Sequence, residues 1–202
     1  MVSVYDLKPR FQNLLRPLCG ALARAGITAN QVTVGAAVLS IVEGAAISFT
    51  QGARLALLAL PLVLLVRMAL NAIDGMLARE FGQKSRLGAI LNELGDVVSD
   101  TALYLPFAAI PGFVPLAVAL VVLIAVIGEM TGVVAVQVGA CRRYDGPMGK
   151  SDRALWFALL AAVIAAKPGL ARLSWIYLAA VGGLGLLTIV NRARAASKED
   201  AP

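Results

Sequence analysis

Apolar residues in this chain come in runs of about twenty, the length at which a helix crosses a hydrocarbon core. Six such runs cover roughly 29–50, 53–80, 85–109, 113–140, 152–168 and 172–192. Gly52, Pro111-Gly112, Gly146-Pro147 and Pro168-Gly169 punctuate them as turns. Ahead of the runs, Val4, Leu7, Phe11, Leu14, Leu15 and Leu18 fall at helical spacing on one face, with Asp6, Lys8, Arg10 and Arg16 among them. This predicts an N-terminal amphipathic helix within 1–28, not a signal peptide, because charges interrupt it and no apolar h-region follows. Such a helix either lies at the membrane interface, basic side to the headgroups, or packs on the protein's own body. The expected architecture is all-α: a polytopic membrane protein with six transmembrane helices over 29–192 and a short tail over 193–202, disordered from 195 onward.

Composition supports the spans. Hydrophobic residues make up 59% of the 202 and charged residues 15%, with a mean hydropathy of +0.82. Soluble domains have nearer ~45–50% apolar and ~25% charged residues, so the surplus apolar surface must face lipid. A soluble enzyme, a DNA-binding module, collagen and a disordered chain are excluded. The net charge of +6 then reports loop topology instead of a nucleic-acid partner. Six spans put Lys8, Arg10, Arg16, Arg24, Arg79, Lys84, Arg86, Arg142, Arg143, Lys150, Arg153, Arg192, Arg194 and Lys198 on one side. These are fourteen of the eighteen basic residues. By the positive-inside rule that side, holding both termini, is cytoplasmic, and in a bacterium the membrane is the inner one.

The absences matter as well. There is no histidine, which removes histidine bases, Ser-His-Asp and Cys-His arrangements and nearly every zinc site. Cys19 and Cys141 make neither a CxxC pair nor a disulfide framework. Acid–base work falls to carboxylates, and any metal would be a hard ion bound through oxygen.

Charged and amide groups inside spans are functional suspects. Asn71, Asp74, Gly75 and Ala78 sit at i, i+3, i+4 and i+7 on the second span, with Arg79 beside them. Gly88, Asn92, Asp96 and Asp100 step by four on the third. The 79–86 turn makes the two helices an antiparallel pair, so their oxygen-rich stripes can face each other just below the cytoplasmic surface. Such a convergence suits Mg²⁺ or Mn²⁺. The plainer reading is that these groups hold helices together, as single Asn and Gly residues do. Two acids at matching depth repel unless a cation joins them. Glu43 and Glu129 are further buried acids, and Arg67 is expected to pair with one of them.

The run Asn71-Ala-Ile-Asp74-Gly75-Met-Leu-Ala78-Arg79, eight residues, then Gly88-Ala-Ile-Leu-Asn92-Glu-Leu-Gly-Asp96 resembles the signature of the CDP-alcohol phosphotransferases, D-x2-D-G-x2-A-R-x8-G-x3-D-x3-D. Gly26-Ile-Thr-Ala-Asn30-Gln-Val-Thr33 is similar to the family's stretch entering the first span. Two positions depart: Asn71 and Asn92 stand where the family has its first and third Asp. The resemblance implies that Asn71, Asp74, Asn92 and Asp96 face one or two Mg²⁺ or Mn²⁺ ions, with Asp96 as the catalytic base. It further implies that Thr33, Gly75, Ala78, Arg79 and Gly88 hold CDP-diacylglycerol, and that an alcohol attacks it with release of CMP. Because an Asn oxygen ligates without charge, either one ion binds, or Glu93 or Asp100 joins the set, or catalysis is lost.

The acceptor alcohol would meet the loop beside the site. Arg142, Arg143, Lys150 and Arg153, with Arg192 at the end of the last span, form the basic group expected if that alcohol carries phosphate, as glycerol 3-phosphate or inositol phosphate does. Lys150 and Arg153 start a helix, an end that favours phosphate. Plain positive-inside charge is the alternative. Partners are thus membrane lipids, CDP-diacylglycerol and a small alcohol, with a homodimer by family analogy. A catalytically impaired lipid-binding relative and a small transporter are the rival functions.

Overall fold

The computed structural model describes the backbone of residues 4–199 and the side chains of 11–199. The side chains expected to matter at Val4, Leu7, Lys8 and Arg10, and the tail from Asp200, lie outside the described residues. The described residues form seven α-helices in order: α1 (Val4–Arg24), α2 (Ala29–Phe49), α3 (Arg54–Glu80), α4 (Arg86–Tyr104), α5 (Pro115–Gln137), α6 (Lys150–Ala166) and α7 (Ser174–Lys198). Two short 3-10 segments, Leu105–Ala109 and Pro168–Leu173, each carry a proline in their first turn. Among the described residues there is no strand.

The helices coincide with the apolar runs, but not all are spans by their own composition. Among the described residues four segments are long and apolar enough to cross a membrane: Ala29–Phe49, Arg54–Glu80, Pro115–Gln137 and Pro168–Lys198. α4 carries Arg86, Glu93, Asp96 and Asp100 within its 19 residues. α6 has 17 residues, which at 1.5 Å per residue is about 25 Å against a core of about 30 Å.

The end of the chain departs from expectation. Residues 195–198, read as disordered, continue α7. Arg192-Ala-Arg-Ala-Ala196 has high helix propensity, Ala196 is buried with Ala135 and Ala140, and Glu199 is held by Arg143.

The described residues fall into two compact units, the first drawn from Met1–Val42 with Leu62–Ser99, the second from Glu43–Pro61 with Asp100–Pro202. In the first, α1 packs one stripe, Leu15, Cys19 and Leu22, against Val32 of α2 and Ile73, Met76 and Leu77 of α3. Leu14 and Leu18 stay exposed, so α1 both packs on the protein and presents a second apolar stripe outward. Gly26, at φ +76°, ends α1: its left-handed backbone lets the Ile27 N–H reach back to the Leu22 carbonyl. Thr28 then opens α2 with a reciprocal capping box, the Gln31 N–H donating to Thr28 Oγ1 and the Thr28 N–H to Gln31 Oε1.

In the second unit, α5 and α7 approach where Gly182 and Gly185 leave room for Val121 and Ile124. Tyr104, Phe107 and Phe157 form an aromatic core. A Cβ at Gly44 would collide with the Ala102 carbonyl oxygen, so glycine is required at that crossing.

Candidate active site

Three helix ends meet in the first unit. The turn between α3 and α4 is pinned to the start of α2, where the Ala29 N–H donates to Gln83 Oε1 at 2.7 Å. Ser85 caps α4 through Oγ, which accepts the Gly88 N–H at 2.9 Å. The first turns of α2 and α4 therefore open beside the last turns of α3, around a cavity of about 390 Å³. Ala29, Asn30 and Thr33 line it from α2; Asp74, Gly75, Ala78 and Arg79 from α3; Gln83, Lys84 and Ser85 from the turn; Gly88, Ala89 and Asn92 from α4. That volume is in the range of small-molecule sites.

Asp74 is the buried acid of this cavity. Thr33 Oγ1 lies 2.8 Å from Asp74 Oδ2 and 3.0 Å from the Ala29 carbonyl. Its single proton is better spent on the carboxylate, where the bond is charge-assisted. The two small residues have separate uses. Arg79 folds back over Gly75, its Nη2 only 3.0 Å from where a Cβ would stand. Gly88 admits the Asn30 amide, whose Oδ1 would lie 2.8 Å from a Cβ there. The dipoles of two helix N-termini, Arg79 and Lys84 favour an anion at this place, and the Asp74 carboxylate adds a cation ligand.

A hard divalent ion fits the lining. Carboxylate and amide oxygens are the donors it prefers, and no sulfur or imidazole competes. Among the described residues no three acidic, histidine or cysteine side chains gather into a cage. An ion here would take one or two carboxylates and complete its shell from ligand oxygens and water, as Mg²⁺ commonly does.

Asn71 and Asp96 are not part of this lining; each lies one turn further along its stripe. Asp96 meets Arg67, which is 3% exposed. Arg67 Nη2 lies 3.6 Å from Asp96 Oδ1 and donates to the Asp96 carbonyl at 3.2 Å. This corrects the expected pairing of Arg67 with Glu43 or Glu129. Arg67 and Asp96 are nearly equidistant from Gly82 along the chain, and an antiparallel hairpin brings such residues level. Glu43 instead has a buried Oε1 without a hydrogen-bond partner.

The residues expected to meet the acceptor fall in the second unit and separate into groups. Three converge on Glu129: Arg142 Nη2 at 3.0 Å, Arg153 Nη2 at 2.9 Å and Arg192 Nη1 at 3.4 Å. Arg153 also binds Asp100 Oδ2 through Nε and Nη2 and the Met148 carbonyl through Nη1, so its donors are committed inside the protein. Asp100, weighed as an extra metal ligand, thus serves Arg153. Arg192 gives its remaining bonds to the Asp145 and Gly128 carbonyls. Arg143 faces Asp145 at 2.8 Å and Glu199 at 2.6 Å instead. There the Arg143 guanidinium holds the Asp145 carboxyl below its ordinary range, and the Glu199 carboxylate pushes the Cys141 thiol up. Lys150 begins α6 beside the Gly149 cap and is not part of the Glu129 cluster.

Asn30, Gln83, Lys84 and Ser85 were not singled out as site residues. The signal for Asn30 was its place three residues before Thr33 in the first turn of α2.

Comparison with known proteins identifies the family and the fold. The model of the CDP-alcohol phosphatidyltransferase family matches residues 26–188. The chain is 44% identical over 193 residues to "Inner membrane protein YnbA" of Escherichia coli (strain K12), covering 96% of each. It shares its fold with phosphatidylinositol phosphate synthase of Mycobacterium tuberculosis. Against the structure of that protein with CDP-DAG bound, the TM-score is 0.75 at 21% identity, with 90% of this chain and 92% of the other covered. Against its complex with manganese and citrate the TM-score is 0.74 at 22% identity, with coverage of 90% and 88%.

Proposed function

The chain belongs to the CDP-alcohol phosphatidyltransferase family, and from that premise we propose that it transfers the phosphatidyl group of CDP-diacylglycerol to an alcohol acceptor, releasing CMP. The observation that carries this is the Thr33–Asp74–Arg79–Gly88 cavity, where a carboxylate, two helix N-termini and two cations surround one space. A solved fold relative holds CDP-DAG and another structure of it holds manganese, which supports the same ligands here. The name of the curated relative supports an inner membrane. The proposed topology keeps six spans, with α4 and α6 tolerated because their charges meet protein partners, and puts both termini and the site on the cytoplasmic side.

In this reading Asp74, oriented by Thr33, and the Asn92 amide hold a Mg²⁺ or Mn²⁺ ion, with Asn71 and Asp96 on the same stripes. When bound, the ion lowers the energy of the negative charge developing on the diphosphate. Arg79 and the positive N-terminal ends of α2 and α4 hold the phosphates. Gly75, Ala78 and Gly88 let the cytidine side of the donor approach the helices. The acceptor oxygen bonds to the phosphorus that carries diacylglycerol as the bond from that phosphorus to the CMP oxygen breaks. Asp96 takes the acceptor's hydroxyl proton; in a chain without histidine a carboxylate is the ordinary choice. For a phosphorylated acceptor, Lys150, at the N-terminal end of α6, is the cation assigned to its phosphate.

The test is CMP release by the purified protein with CDP-diacylglycerol, Mg²⁺ or Mn²⁺ and a panel of plain and phosphorylated alcohols. Asp96→Asn should reduce kcat by at least ~100-fold, within the ~10²–10⁴-fold range of a general base, while the fold survives. No CMP from any acceptor refutes the transfer, and near-normal turnover by Asp96→Asn refutes its role as base.

A further inference from the structure

We propose that Arg67 acts as a fixed internal cation of this site, so that the site is built for one divalent ion, at Asp74, instead of two. The proposal rests on the reading of the α3 and α4 stripes as the place of metal and diphosphate.

The charges on the page carry it. The two stripes hold two carboxylates, Asp74 and Asp96, and two neutral amides, Asn71 and Asn92. Glu93 sits about 100° around α4 from the Gly88–Asn92–Asp96 line. Arg67 stands one turn before Asn71 on α3, 3% exposed, with Nη2 at 3.6 Å from Asp96 Oδ1 and 3.2 Å from the Asp96 carbonyl. A guanidinium stays protonated at any working pH, so this positive charge cannot be titrated away. Asp74, Asp96 and Arg67 together carry one negative charge. A single dication brings that set to one positive charge, which the donor's diphosphate then offsets. A second dication would bring it to three, and it would have to share the Asp96 carboxylate with the Arg67 guanidinium, whose Nη2 already stands 3.6 Å from Oδ1. Two cations on one carboxylate repel each other.

Position agrees with charge. Asp74 and Asn92 line the open cavity, where an ion can share ligand oxygens, whereas Asp96 is one turn deeper and already has a cationic partner. Arg67 is in this sense a positioning residue: it fixes both the backbone and the carboxylate of Asp96 and leaves Asp74 as the anionic ligand facing the cavity.

The experiment counts Mn²⁺ bound to the full chain in detergent micelles, reading free Mn²⁺ by electron paramagnetic resonance, with no turnover required. Wild type should saturate at one ion per chain, and Asp74→Asn should abolish that ion. Arg67→Gln should tighten the ion by at least about tenfold, because a nearby like charge is gone, whereas Arg67→Lys, which keeps the charge, should stay within about threefold of wild type. Asn71→Asp with Asn92→Asp should add a second ion only when Arg67→Gln is also present. Two ions in wild type, a second ion in the double Asp variant with Arg67 intact, or an affinity indifferent to Arg67→Gln overturns the proposal. If Arg67→Gln does not fold, the Arg67→Lys, Asp74→Asn and double Asp variants still decide it. Zero ions in wild type refutes the metal reading of the stripes themselves, an outcome distinct from two.

Discussion

Asp74 and Glu129 are carboxylates buried to a similar degree, 5% and 8% exposed, one in each unit. Around Glu129 three guanidiniums close at 2.9 to 3.4 Å, and a small cavity bounded by Gly128, Arg153 and Thr188 has room for about one water, near 10 Å³. Asp74 accepts the Thr33 hydroxyl at 2.8 Å, and a cavity of about 390 Å³ lies alongside. Burial and charge are shared; what differs is how the oxygens are used. Glu129 belongs to a closed network whose gain is specificity of packing, since buried ion pairs are costly to break even where they add little net stability. Asp74 keeps a face toward space that a ligand can fill. A buried charge in a membrane helix becomes a candidate site when it also borders a cavity with further unspent donors.

The sharpest way to break that contrast is to truncate both acids and measure two properties. Glu129→Ala leaves guanidiniums buried without their shared partner and should lower unfolding stability by about 3–5 kcal/mol, read as a large drop in Tm of the detergent-solubilised protein. Asp74→Ala should leave Tm close to wild type and reduce CMP release by about 10²–10³-fold, the scale of losing one preorganised charge-stabilising group. If the two variants exchange these effects, the assignment of site and scaffold is reversed. Next in size is Thr33→Val, which keeps shape and removes the proton donated to Asp74. An outer partner of a metal ligand is worth about 10–100-fold in metal affinity, so Mn²⁺ binding should weaken by that factor, with kcat at saturating metal much less affected. Unchanged Mn²⁺ affinity would mean that Thr33 only bonds its own helix through the Ala29 carbonyl.

Much of this was legible from spacing. A period of 3.6 put Asp74, Gly75 and Ala78 on one face, a step of four put Gly88 and Asn92 on another, and the short turn made them neighbours. The cavity joins those five with Thr33 and Arg79. Spacing also placed Asn71 and Asp96 on those faces, but depth along a stripe decides which residues reach the cavity, and period says nothing about depth. The partner of Arg67 was within reach of hairpin register, yet the acids of other helices were equally plausible to a reading that used burial alone. For Arg142, Arg153 and Arg192 the positive-inside pattern could locate the loop only. That Glu129 gathers all three depends on the chain folding back over α5, where Gly132 makes way for Arg142, and no local pattern encodes that approach. The helical extension at 195–198 was hidden by its charges, which read as a solvated tail until Ala196 and Glu199 found partners.

A smaller effect separates stability from function at one residue of the open unit. Gly75→Ala places a Cβ 3.0 Å from Arg79 Nη2 and 3.1 Å from Nη1, so the far end of a flexible side chain must move. Ala in place of Gly inside a helix gains about 0.5–1 kcal/mol, enough to offset that shift. The expected result is a Tm equal to or above wild type with a KM for CDP-diacylglycerol raised by less than about tenfold, kcat nearly unchanged, as for loss of uniform binding. A fall in kcat with KM constant would place Arg79 on the transition state alone. The same substitution at Gly132, in the closed unit, meets the Arg142 guanidinium and the Arg143 carbonyl. Backbone cannot step aside as a side-chain tip can, and that variant should lose stability without any change in KM.

The smallest effect lies at the aqueous edge of the closed unit, where the Arg143–Glu199 pair is partly exposed and its strength is screened. Glu199 accepts the Cys141 N–H at 3.3 Å and pairs with Arg143 at 2.6 Å. The Cys141 thiol, the amide and the Arg143 guanidinium together hold the Glu199 carboxyl below its ordinary range. A carboxyl depressed in the folded state stabilises it above the unfolded-state pKa, and that contribution disappears as pH falls through the folded-state value. The tail contact should therefore loosen on acidification below the ordinary carboxylate range and not on raising pH. Cys141, exposed and pushed up chiefly by the Glu199 carboxylate, reports on it directly, whereas Cys19 is fully buried and stays silent. Glu199→Gln removes the charge that disfavours the thiolate, the reactive form, so maleimide labelling of Cys141 near pH 8 should accelerate by less than about tenfold, with Tm and CMP release unchanged. A membrane-impermeant maleimide should reach Cys141 in inside-out vesicles and not in intact cells, because positive-inside charge puts that loop in the cytoplasm. Labelling from outside would invert the topology, and a labelling rate indifferent to Glu199→Gln would show that solvent screening has already cancelled the pair that burial makes so costly to break at Glu129.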